Sequence, residues 1–212
     1  MKNSAFLILI LLFSCTKDNS KDYIKPDDLP FENIDVNNKI KYAKEIENLK
    51  NNLETKGLMN DTNEATTKTT NVISVLKRGK EKPFTFDSYR CSATIERNDI
   101  KLYITYNSGL GGGGIKILKK EKSFSIRPVN WDDIGGNEEN DLYKVNYQKL
   151  TLDKLTYKIG DSIFGKLDAE IVHYFPAIDE VFEGKKFHEN EKFLKENYTG
   201  YFQTVVKEKI YQ

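Results

Sequence analysis

From residue 71 onward, apolar and polar side chains alternate with a period of two, as strands with one buried face require. The alternation predicts strands over 72–76, 84–86, 89–96, 100–106, 115–118, 124–126, 142–152, 155–159, 162–174 and 198–210. It sets Tyr89, Cys91, Ala93 and Ile95 on one face. Asn98-Asp99 and Gly160-Asp161 fall between alternating runs and mark hairpins. Ahead of this region Tyr42, Ile46, Leu49 and Leu53 recur at i, i+4, i+7 and i+11, the stripe of an amphipathic helix over 36–56, with Asn37 or Asp35 to cap its start and Gly57 to end it. Residues 58–70, with their excess of Asn and Thr, read as a loop. The pattern predicts one globular domain over 36–212, β-rich from 71 to 212. Its fold class is mainly β: an antiparallel β-sandwich or open barrel of about 8–10 strands, preceded by one amphipathic helix.

The amino terminus follows another pattern. One positive charge at Lys2 precedes nine unbroken apolar residues, 5–13. Crossing about 30 Å of hydrocarbon takes roughly 20 such residues, so this run has the length of a secretion-signal core and not of a membrane span. It ends in Leu12-Phe13-Ser14-Cys15, which resembles the lipobox of bacterial lipoproteins. The resemblance implies that 1–14 is a signal peptide, that Cys15 is diacylated on sulfur, and that its new amino group carries a further acyl chain, palmitate being typical. One acyl chain binds a membrane marginally, whereas three hold effectively permanently. By the same resemblance Thr16, not being Asp, directs the chain onward to the outer membrane, and Lys17-Asp18 resembles a cell-surface tag. The expected location is the cell envelope, lipid-anchored in the outer membrane on its periplasmic or cell-surface face. Residues 16–35 carry two prolines and six acidic against three basic residues, so 15–35 reads as the lipidated Cys and a flexible tether.

Composition narrows the function classes. The chain has 212 residues, 33 Lys and Arg against 32 Asp and Glu, and 38% hydrophobic residues, an ordinary globular balance. Without 1–14 the formal charge is zero, and Arg supplies four of the cations. Such a chain lacks both the field and the bidentate donors of a nucleic-acid binder. Basic clusters at 77–82 and 116–122 read as solvated turns. With Cys15 bonded to lipid, Cys91 has no disulfide partner and reads as a small buried hydrophobe.

Two loops stand out as ligand candidates. Gly109, Gly111, Gly112, Gly113 and Gly114 formally match G-x-G-x-x-G, but a strand and not a helix follows, so no helix N-terminus awaits a pyrophosphate. The segment reads as a mobile loop, or as one that a ligand approaches closely. Trp131, Asp132 and Asp133 open a loop with five carboxylates through Asp141. Such oxygen-rich loops suit calcium, yet Gly135 breaks the EF-hand spacing, and no metal is expected. His173 and His188 lack the second ligand a zinc motif needs, and a Cys–His pairing with Cys91 has only their presence to support it. No G-x-S-x-G elbow or P-loop occurs. Asp161-Ser162-Ile163 resembles an O-glycan acceptor motif, with Ser162 as the modified residue.

The first functional expectation is therefore a non-catalytic binding or interaction module, held at the membrane by lipid, with a protein partner and no cofactor. The alternatives are a glycan-binding surface lipoprotein using exposed Tyr or Trp131, and an envelope hydrolase with scattered acids.

Overall fold

A computed structural model describes residues 22–48, 71–78, 84–85, 90–107, 111–132, 142–182 and 185–208. Thirteen strands are described: β1 (Glu32–Asn33), β2 (Asp35–Val36), β3 (Asn71–Arg78), β4 (Phe84–Thr85), β5 (Arg90–Glu96), β6 (Asp99–Asn107), β7 (Gly111–Lys120), β8 (Ser123–Asp132), β9 (Leu142–Leu152), β10 (Ser162–Phe175), β11 (Ile178–Phe182), β12 (Lys185–Glu189) and β13 (Lys192–Glu208). Nine of them run in the order β1-β8-β7-β6-β5-β13-β10-β9-β2, while β3 adds to β13 and β4 to β3. The fold is mainly β, as the alternation predicts. Because β1 and β2 are consecutive pieces of one extended stretch around Ile34, the two ends of the order adjoin and the sheet nearly closes into a barrel.

The barrel is mixed, where the sequence predicted an antiparallel sheet. The seven long strands β5 to β10 and β13 alternate in direction, and an odd number of alternating strands cannot close without a parallel contact. That contact is β13 beside β5, where Val206, Lys207 and Glu208 pair with Ala93, Thr94 and Ile95. Just ahead of it the Thr204 hydroxyl donates to the Cys91 carbonyl at 3.1 Å. A second parallel contact joins β2 to β9.

Strict alternation along β10 buries Ile163, Leu167, Ala169 and Ile171, and the facing strands add Leu102, Ile117, Phe124, Leu150, Leu152 and Phe202, all inside the barrel. Phe202 lies across from Gly165, where an added Cβ would meet its ring at 2.2 Å; the missing side chain is what admits the ring. A bulge in β9 opposite Glu170 and Ile171 leaves Asn146 without a partner in the register and turns both Asn146 and Tyr147 outward.

Three local expectations are corrected. The segment expected to be a flexible tether is ordered from residue 22. Ile24 exchanges backbone hydrogen bonds with Tyr143 at 2.8 and 2.9 Å, the Leu29 carbonyl accepts from the Ser125 hydroxyl, Arg127 pairs with Asp27, and Leu29 and Ile34 are buried. Averaged composition hid these few anchors. The helix expected over 36–56 does not begin at 36: Val36 ends β2, Ile40–Tyr42 form a 3-10 turn after an Asn37 side-chain contact to the Lys39 N–H, Ala43 is extended, and helix is described over 44–48, with 49–56 outside the described residues. Ile46 is buried as the stripe requires, Tyr42 is 75% exposed, and Leu49 and Leu53 lie outside the described residues. The strand expected over 155–159 is a loop, because the Asp153 carboxylate accepts from the Tyr157 hydroxyl (2.7 Å) and the Phe164 N–H (3.0 Å), drawing the chain inward.

The hairpin turn expected at Asn98-Asp99 falls one residue earlier, with Arg97 and Asn98 both left-handed, as a two-residue turn between twisted strands demands. Gly114 carries φ +149°, and an added Cβ would lie 2.1 Å from the Ile104 carbonyl oxygen. Gly114→Ala is expected to destabilise the barrel by more than about 2 kcal/mol in urea unfolding; a variant as stable as the parent would show that β6 and β7 do not approach this closely.

Candidate functional site

Strand directions bring the described flanks of the two candidate loops to one rim. β6 ends at Asn107, β7 starts at Gly111, β8 ends at Asp132 and β9 starts at Leu142, all on one rim of the barrel. The end of β10, the β11–β12 hairpin and the start of β13 share that rim. The opposite end carries the turns at 97–98, 121–122 and 153–161.

The glycine run is the correction here. Gly111, Gly112, Gly113 and Gly114 are not a loop: they pair with Asp132, Trp131, Asn130 and Val129 of β8, and the last three also with Asn107, Tyr106 and Thr105 of β6. At Gly114 the missing side chain is what admits the Ile104 carbonyl of β6. The structure therefore brings Gly111 and Gly112 beside Asp132 and Trp131, two sets that the sequence treats separately. Gly109 and Asp133, and with Asp133 the rest of the acidic loop, lie outside the described residues, as does Cys15. Ser162 is half-buried at the start of β10, opposite Val205, with Ile163 fully buried beside it.

Below the rim the interior turns polar and aromatic. His173 on β10 is buried, its ring stacked on Tyr143 at 4.4 Å and tilted against Phe175 at 3.7 Å. Two residues along β13, the buried Tyr198 hydroxyl donates to the buried Glu196 carboxylate at 2.6 Å. The sequence reading passed over Glu196; its signal was the in–out alternation at Glu196, Tyr198, Phe202 and Thr204, which marks a carboxylate on the inward face.

Chemistry at Cys91 is disfavoured on two grounds. Its side chain is fully buried, which pushes the thiol well above the ordinary range and away from thiolate. Thr204, which touches its carbonyl, pairs with Ile163, ten residues before His173 on β10, or roughly 33 Å along the strand. His188 is exposed on β12, its Nε2 3.1 Å from Asn190 Oδ1. Among the described residues no three His, Cys, Asp or Glu side chains are grouped to hold a metal. Lys119, in the basic cluster read as a solvated turn, points inward instead; its ammonium donates to the Glu121 carbonyl at 2.6 Å, and burial lowers its pKa against the pull of Asp99 and Glu121.

The outer wall carries charge pairs. The Lys195 ammonium and the Asn146 amide hold Glu170 below the usual carboxylate range. The Lys154 ammonium and the Lys158 N–H do the same for Asp161 at the far turn. Compared with protein-family models, with curated proteins and with solved structures, the chain matches none.

Native Cys91 is expected to resist maleimide at about pH 8 and to react once the chain is unfolded; rapid native labelling, read by mass spectrometry, would contradict the packing of β5. Glu170 and Asp161 are both depressed in the folded state, so the unfolded chain binds more protons in acid. Their stabilisation is present above the ordinary values of 4.5 and 3.8 and is lost as pH falls through the lower folded ones. Thermal melts from pH 6 down to 3 should therefore show a loss of stability that Lys154→Met and Lys195→Met make shallower.

Proposed function

We propose that this chain is a lipid-anchored, non-catalytic binding module of the cell envelope whose working surface is the rim bearing Gly111, Gly112, Trp131 and Asp132. The observation that carries the reading is the register of β7 on β8, which joins these residues on one rim. The bridge of Ile24 to Tyr143, which brings the described amino-terminal stretch to the same rim, supports an anchor on that side. The interior supports the reading too, because its described side chains are buried against one another and leave recognition to the edge. A protein partner in the envelope is the first reading. A glycan is the second, favoured by one observation: the register sets the chain's one Trp opposite Gly112, backbone that carries no side chain.

Anchoring is tested with an alkyne-bearing palmitate fed to cells. Wild-type chain should take up the label and sediment with membranes, and Cys15→Ser should do neither; equal labelling and fractionation of the two would end the lipoprotein reading. For the rim, a photo-crosslinking amino acid is placed at Trp131 or at Lys122 of the far turn. Protein adducts from Trp131 alone favour the first reading and glycosidase-sensitive adducts the second, while equal adducts from both positions overturn the rim as the working surface.

A further inference from the structure

Where the described chain begins, it meets an aromatic patch on the outer wall close to the rim. Tyr23 packs against Tyr174 at 5.2 Å between ring centroids and against Phe193 at 5.7 Å, and Tyr174 meets Phe193 at 5.1 Å. Phe193 stays 46% exposed and Ile24 beside Tyr23 36% exposed, so the cluster presents apolar surface outward. The Tyr174 hydroxyl donates to Glu191, and Lys144, paired with Asp22, flanks Tyr23. Rings with polar tips, bordered by long cationic side chains, are the chemistry that settles at the boundary between lipid headgroups and acyl chains.

Chain length then decides which way the barrel faces. Six residues separate Cys15 from Asp22, and the seven Cα-to-Cα steps reach at most roughly 25 Å when fully extended. β10 has 14 residues, which is roughly 46 Å along the strand and about 35 Å of height at a usual barrel tilt. An anchored barrel standing on its far turns would need Asp22 to rise higher than its leash allows. The permitted poses lay the rim, or the wall beside it, on the membrane, and that wall is where the rings are.

We infer that Tyr23, Ile24 and Phe193, backed by the buried Tyr174, form a membrane-contact surface that seats the rim on the bilayer holding the anchor. This rests on Cys15 carrying lipid, as proposed above. It adds an orientation and a class of partner: whatever the rim engages lies at or within that same membrane.

The test uses the full acylated protein in vesicles of phosphatidylethanolamine and phosphatidylglycerol that contain a nitroxide-headgroup lipid. Cys91 is buried and inert, so Asn190→Cys beside the rim or Lys122→Cys at the far turn takes a fluorophore alone. The dye at position 190 should be quenched several-fold more strongly than the dye at 122. Adding Tyr23→Ser and Phe193→Ser should bring the two towards equality while the labelled protein still floats with the vesicles. Flotation with equal quenching at both positions in the otherwise unaltered protein overturns the membrane-contact surface and leaves the anchor standing. Failure of the unaltered protein to float overturns the anchor, and with it this inference.

Discussion

The barrel depends on five residues that seal one seam. Between β8 and β9 there is no direct ladder; Glu32 and Asn33 pair with Phe124 and Ser123 on one side, and Asp35 and Val36 with Thr151 and Leu152 on the other. The Ile34 N–H donates to the Lys122 carbonyl and the Asn37 N–H to the Leu152 carbonyl. Gln148 helps from β9, its amide donating to the Pro30 carbonyl while its carbonyl accepts from the Ile126 N–H. Remove the stretch and two strand edges lose their partners, with Phe124 and Leu152 opened to water. The contact between β10 and β13 spans fourteen residue pairs and the parallel one between β13 and β5 three, so the seam, with two pairs on each side, is the thinnest part of the described wall.

That seam couples architecture to the proposed anchoring. The chain that closes the barrel is continuous with the chain that would lead to the lipid, and it meets the sheet first at Tyr143 on the rim. Ion pairs along this stretch, Asp22 with Lys144, Asp27 with Arg127 and Asp35 with Lys149, tie it to β8 and β9. Each is exposed on at least one side and contributes little alone.

Inside and rim divide the molecule chemically. Branched aliphatics and Phe make up most of the far half, with Lys119, Tyr157 and Thr204 buried among them, whereas Tyr143, His173, Tyr198 and Glu196 occupy the rim half, the last two joined by a short hydrogen bond. A buried carboxylate is stable there because a hydroxyl donor on its own strand faces it. The proposed working surface lies beyond these buried groups, at the strand ends of the rim.

Where one face of a strand is buried over many residues, alternation alone located it: the bounds of β9 are those the pattern predicts, and β10 runs one residue longer. Burial of every second side chain is a property of the local sequence, so composition and period sufficed for the fold class. β1 and β2 were illegible, since two residues carry no period and their side chains are exposed; only the gap between β8 and β9 makes them strands. The glycine run was read as a loop because Gly has low strand propensity, and tertiary pairing on both sides overrode it. The joining of Gly112 to Trp131, the inward turn of Lys119 and the parallel closure of β13 on β5 likewise belong to the tertiary structure. Each is set by which strands meet around a ring, and that is a long-range count of directions and registers that no window of sequence contains.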